Sequence, residues 1–121
     1  MAKILIVEDD TLINKMYSEK LSRDGYEVEV ASNGREGLDK LKTGGFNLII
    51  LDIMMPVMSG TELIIEIKKD QALEKLPIIV LSNLTEGPEI EKAKKMGISE
   101  YLIKSDLDPE DVSNAVKKYL K

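Results

Sequence analysis

The chain has no cysteine and no histidine. The first absence excludes disulfides and thiolate metal sites and is compatible with a reducing compartment. The second is more restrictive, because it removes an imidazole base at neutral pH, a Ser–His pair and any histidine metal ligand. Chemistry here must run on carboxylates, hydroxyls and lysine, and any metal must be a hard one. Basic residues are in deficit, 17 Lys and Arg against 22 Asp and Glu, for a formal charge of −5. That balance argues against phosphate backbones or anionic membranes as main partners, so neither nucleic acid nor membrane is expected to bind directly. No apolar run approaches the roughly 20 residues that span a bilayer, and the strand-like segment from Lys3 to Val7 begins too early for a signal peptide. A cytoplasmic location is the expectation. Repeats, low-complexity tracts and linkers are also missing, and 121 residues suit one domain. Residues 1–121 are therefore read as a single domain with no output domain attached.

Five short apolar runs recur, each followed by a segment of helical period: Ile4–Val7, Tyr26–Val30, Leu48–Leu51, Ile78–Leu81 and Tyr101–Ile103. Strand alternating with helix implies an α/β fold with a parallel sheet. The first, third and fourth runs are continuously apolar, as strands covered on both faces should be, whereas the second alternates like an edge strand. Ile13, Met16, Tyr17 and Leu21 repeat at helical spacing, as do Leu63, Ile64 and Ile67, and Val112, Ala115, Val116 and Tyr119; these are the expected core faces of helices. Gly25, Gly44–Gly45 and Gly97 sit where helices should stop, and Asp108-Pro109-Glu110-Asp111 reads as the capped start of a last helix. The expectation is a doubly wound (βα)5 sheet, with the order 2-1-3-4-5 borrowed from a common arrangement of such sheets. Ligands of these sheets bind beyond the carboxyl ends of the strands.

Immediately after the strands come Glu8, Asp9 and Asp10, then Asp52, then Ser82, then Lys104. Singly, each has an ordinary reading: a helix cap for Asp9 or Asp10, a turn residue for Ser82, a solvated charge for Lys104. Together they place several carboxylates on one rim, where each close pair costs on the order of 4 kcal/mol at an effective dielectric near 20. Lys104 offsets one charge, and a hard dication such as Mg2+, held by oxygen ligands, would offset the others. A carboxylate so neutralised can face a phosphoryl group. Asp52 is then the candidate nucleophile, giving an acyl phosphate, with Lys104 and the Ser82 hydroxyl answering charge on the phosphoryl oxygens.

The motifs Ile-Leu-Ile-Val-Glu8-Asp9-Asp, Leu-Asp52-Ile-Met-Met-Pro56-Val-Met-Ser-Gly60, Val-Leu-Ser82-Asn and Glu-Tyr101-Leu-Ile-Lys104 closely resemble the response-regulator receiver domains of two-component signalling. The resemblance spans essentially the whole chain and implies a flavodoxin-like fold. It implies Glu8 and Asp9 as the acidic pair at a magnesium ion, with Asp9 the direct ligand, and Asp52 as phosphoacceptor and further ligand. The Met54 carbonyl is implied as another ligand, Ser82 as the switch hydroxyl, Tyr101 as the switch aromatic and Lys104 as the lysine of the site. The implied donor is a phosphohistidine on a sensor histidine kinase or phosphotransfer protein. The domain is thus expected to be a phosphoacceptor and not an enzyme. Phosphorylation is expected to shift a two-state equilibrium in which Ser82 and Tyr101 move inward. A downstream protein would then read the face formed by helix four, strand five and helix five, with Ile90, Lys94, Tyr101 and Lys117 on or near it.

Two positions depart from the family pattern. Asn83 stands where a very small residue is usual, and is expected to crowd access to Asp52. Ser105 stands where proline is usual, commonly after a cis bond; because a cis bond costs a non-proline residue about 2.5–4 kcal/mol, a trans bond with a re-routed loop is expected, Lys104 still reaching the site. Met54 and Leu84, two residues after Asp52 and Ser82, cannot orient a hydrolytic water, so self-dephosphorylation should be slow. Rival readings fit less well. A flavin binder would need a hydroxyl- and glycine-rich loop where Glu8-Asp9-Asp10 stands, and a haloacid-dehalogenase-type phosphatase would need its aspartate after the first strand with a second two residues on. The remaining alternative is a degenerate receiver that binds partners without being phosphorylated.

Overall fold

A computed structural model describes residues 2–120. The elements alternate as β1 (Lys3–Val7), α1 (Thr11–Arg23), β2 (Glu27–Ala31), α2 (Gly34–Leu41), β3 (Leu48–Leu51), α3 (Gly60–Lys69), β4 (Ile78–Ser82), α4 (Pro88–Lys95), β5 (Glu100–Ile103) and α5 (Pro109–Tyr119). All pairings are parallel, in the order β2-β1-β3-β4-β5. The chain therefore reverses direction across the sheet between β1 and β3, and the loops after these two strands open a crevice at their carboxyl ends.

The strands' alternation feeds two cores. On one face Leu5, Val7, Ile49 and Leu51 pack with Leu38 and Leu41 of α2, Leu63, Ile64 and Ile67 of α3 and Ala93 of α4. On the other, Ile4, Ile6, Leu48 and Ile50 pack with Tyr17 and Leu21 of α1 and Val112, Ala115 and Val116 of α5. With each large apolar side chain worth roughly 1.5–3 kcal/mol when fully buried, these two layers hold the strand ends in place. The expected edge position of β2 is borne out, and its glutamates pair with Lys3 along that edge, at 2.9 Å for Glu29 and 3.9 Å for Glu27. The expectation for Met16 fails: it is 41% exposed, because α1 covers the sheet through the narrower stripe of Asn14, Tyr17 and Leu21. Helix punctuation follows the expected chemistry. Asp108 and Asp111 cap α5 reciprocally behind Pro109, and Ser59 and Glu62 do the same for α3.

Candidate functional site

Three consecutive acids follow β1 and take three different positions. Glu8 is buried; its Oε1 accepts from the Lys104 ammonium at 2.6 Å and its Oε2 from the Asp10 amide at 3.0 Å. Asp10 is the N-cap of α1, its carboxylate accepting the amides of Leu12 and Ile13 at 3.0 and 3.1 Å. Asp9 is exposed between them, and its carboxylate makes no hydrogen bond or ion pair with the described residues.

Asp52, 7% exposed, follows β3, and its own amide donates to the Val7 carbonyl at 3.1 Å, which fastens it beside the end of β1. Its Oδ2 accepts from Lys104 at 2.7 Å and its Oδ1 from the Met54 amide at 3.3 Å. Met54 itself turns its side chain to solvent, 61% exposed. Beyond it the loop is tight: the Met58 amide donates back to the Pro56 carbonyl at 2.7 Å around Val57, whose φ of 68° is strained for a β-branched residue. Gly60 closes the loop, since a Cβ there would lie 2.2 Å from the Asp52 carbonyl oxygen.

Carboxylate oxygens of Glu8, Asp9 and Asp52 all lie within 4.8 Å of one another. Three negative charges thus meet one ammonium. Burial is the main influence on Glu8 and pushes its carboxyl above the ordinary range, against the pull of Lys104. Burial would lower the lysine, but its hydrogen bonds to Asp52 and Glu8 outweigh that and hold it above its ordinary value. The surplus of two negative charges, carried entirely on oxygen donors with Asp9 uncommitted, fits a divalent hard cation and no soft one.

Ser82 ends β4, fully buried, its Oγ accepting from the Leu84 amide at 3.3 Å. The Tyr101 hydroxyl donates to the Leu84 carbonyl at 2.9 Å, so the ring is already turned inward beside Ser82. Burial chiefly raises the Tyr101 phenol, opposed by the nearby Ser82 hydroxyl and aided by the charge of Asp52. The Lys94 ammonium lies 5.7 Å from the centre of the Tyr101 ring, and Lys94 and Lys117 are exposed. Ile90 requires a correction. It is 2% exposed, because Ile90 and Ala93 form the stripe by which α4 packs on the sheet, and its side chain is not part of an open partner face.

No peptide bond among the described residues is cis, so Lys104–Ser105 is trans as expected, and a 3-10 turn over Lys104–Asp106 redirects the chain while Lys104 reaches both carboxylates. The Asn83 carboxamide oxygen accepts from the Ser105 amide at 2.8 Å. Asn14 is a site residue that the sequence reading misses. Its Nδ2 donates to the carbonyls of Glu8 and Ala31 at 3.0 and 3.2 Å, fixing the end of β1. The available signal is a polar residue three and seven positions before Tyr17 and Leu21, on the stripe that α1 buries.

Comparison with known proteins agrees with this geometry. The family model described as "Response regulator receiver domain" matches residues 4–117. A probable transcriptional regulator, ycf29, of Pyropia yezoensis is 36% identical over 98% of this chain and 53% of its own length. The transcriptional regulatory protein CrdR of Helicobacter pylori is 35% identical over 97% of this chain and 54% of its own length. The chain spans about half the length of these curated relatives. Among solved structures, the chemotaxis response regulator CheY4 of Vibrio cholerae superposes with a TM-score of 0.91 at 35% identity, covering 99% of both chains. The response regulator TrrA of Thermotoga maritima, in complex with Mg2+ and BeF, gives 0.86 at 35% identity, covering 99% of this chain and 100% of that one.

Proposed function

From the premise that the chain belongs to the response regulator receiver domain family, we propose that it works in the cytoplasm and accepts a phosphoryl group on Asp52 from a phosphohistidine of a sensor histidine kinase or phosphotransfer protein. The observation that carries the reading is the surplus of negative charge around a buried, lysine-bound Asp52. Glu8, Asp9 and Asp52, with the Met54 carbonyl, would hold Mg2+, which when bound supplies positive charge for the phosphoryl oxygens. In the transfer a carboxylate oxygen of Asp52 forms the new P–O bond as the P–N bond to the donor imidazole breaks, and the imidazole leaves to be protonated by solvent. The Oδ1 contact with the Met54 amide, long at 3.3 Å, is the easier of the two to give up. Lys104, between Glu8 and Asp52, can follow the charge as it passes to the phosphoryl oxygens, and the Ser82 hydroxyl is free to donate to one of them.

The output follows from the same atoms. A Ser82 drawn toward a phosphoryl group changes the loop that carries Leu84, the residue whose carbonyl holds Tyr101. Lys94, Tyr101 and Lys117 would then report to a downstream protein, with phosphorylation deepening the inward state of Tyr101. The chain acts as phosphoacceptor and switch and not as an enzyme with a separate substrate. The test is intact-mass measurement after incubation with acetyl phosphate. A single phosphoryl group added only in the presence of Mg2+, and lost on treatment with hydroxylamine, is the expected result; labelling of an Asp52→Asn variant, or no labelling of the wild type, would refute it.

A further inference from the structure

We propose that Asn83 is a positioning residue for Lys104, acting through the backbone amide of Ser105. The β4–β5 ladder ends at the pair Ser82–Ile103. One residue beyond it on β4, the Asn83 side chain supplies the next acceptor, 2.8 Å from the amide two residues beyond it on β5. The bond joins the residue after the site hydroxyl to the residue after the site lysine. The Leu107 amide closes the 3-10 turn onto the Lys104 carbonyl with a longer 3.3 Å contact, and Ser105 and Asp106 are exposed. The Asn83–Ser105 bond therefore sets the direction in which the chain leaves β5, and with it where the stem of Lys104 begins.

The two departures from the family pattern become one feature. A proline at position 105 has no N–H to donate, so Asn83 would have no partner there; with serine, the trans bond and the amide are both available, and Asn83 uses them. Through the same bond, a displacement of the Ser82 loop is passed to the lysine, so that hydroxyl and ammonium move as a unit. The catalytic part of this role rests on Asp52 being the phosphoacceptor, whereas the geometric part does not.

The experiment has a metal-free arm and a labelling arm. In metal-free protein, Asn83→Ala is expected to lower the hydrogen-exchange protection of the Ser105 amide roughly ten-fold and to move the Lys104 Cε resonance toward those of the exposed lysines. Asn83→Asp, which keeps an acceptor, restores the protection, and Ser105→Ala, which keeps the N–H, leaves both signals as in the wild type. With acetyl phosphate and Mg2+, Asn83→Ala is expected to slow labelling about five-fold, and to cost nothing further when added to Ser105→Pro. Wild-type protection and an unmoved Lys104 resonance in Asn83→Ala would overturn the proposal, as would equal penalties of Asn83→Ala in the wild-type and Ser105→Pro backgrounds. If wild-type protein took no label, the phosphoacceptor reading would fall, and the metal-free arm would still decide whether Asn83 places the lysine.

Discussion

Two charged clusters in this domain are built from nearly the same residue types and behave in opposite ways. Between α1 and α5, Lys20 lies 3.2 Å from Asp24 and 2.8 Å from Glu110, while the buried Ser113 hydroxyl donates to Asp24. That hydroxyl, helped by Lys20, holds the Asp24 carboxyl below its usual range. At the strand ends, Lys104 faces Glu8 and Asp52 with Asp9 close by, and burial drives Glu8 the other way. The first cluster satisfies its one sheltered carboxylate, Asp24, with a lysine and a hydroxyl, leaves Glu110 largely to solvent, and acts as an interhelical fastening. The second is left short of positive charge, and only a ligand can complete it. The proportion of partners, and not the presence of charge, separates a fastening from a binding site.

The largest expected effect breaks the second cluster alone: Asp52→Asn should abolish labelling by acetyl phosphate with the circular dichroism spectrum unchanged. Next comes the first cluster. Ser113→Ala leaves Asp24 without its buried donor and should cost about 2 kcal/mol, measured by urea denaturation, with no effect of Mg2+ on the difference. Asp24 has a depressed folded pKa, so its contribution is fully present above its ordinary value of 3.8 and is lost as pH falls through the folded value. The wild-type advantage over Ser113→Ala should shrink on acidification accordingly. Glu8, raised above its ordinary 4.5, has the opposite sign in metal-free protein, where its contribution declines as pH rises through the window above that value.

A smaller effect concerns the lifetime of the acyl phosphate. The side chains of Met54 and Leu84 cannot orient a water by hydrogen bonding, and Met54→Asn with Leu84→Glu should speed loss of label roughly ten-fold; an unchanged decay would show that water is positioned by other groups. Smallest is a stability change in Asp52→Asn. Removing this carboxylate relieves two repulsions of about 3.5 kcal/mol or more each, taken at the 4.8 Å limit of separation, and forfeits one attraction of about 6 kcal/mol at 2.7 Å, for an effective dielectric near 20. Without Mg2+ the variant should therefore gain about 1 kcal/mol, seen as a rise of about 4 °C in Tm, and with saturating Mg2+ the order should reverse because the wild type gains more from the ion. A gain that persisted in Mg2+ would place the cation elsewhere.

What can be read from the residues in order is what depends on near neighbours or on period: the strands, the cap at Asp108, the choice of Asp9 or Asp10 as the first helix's cap, and the rim positions of Glu8, Asp9, Asp52, Ser82 and Lys104. Helical period locates a face without fixing the width of the strip that is covered, and so it puts Met16 in the core in error, while the family resemblance, which names a partner face without its exposed side chains, includes the buried Ile90. Pairings between polar groups distant in the chain, such as Asn14 with Ala31, Asp24 with Ser113 and Asn83 with Ser105, leave no periodic trace. They depend on where two loops or helices come to rest, which only the assembled sheet determines.

The contact between Lys104 and Glu8 joins positions 96 apart in the chain. Glu8 and Asp52 both precede β5 in the chain, and until β5 joins the sheet their carboxylates have no ammonium between them. Long-range closures of this kind form slowly relative to local ones. The charge balance of the site is therefore complete only when the whole domain has closed.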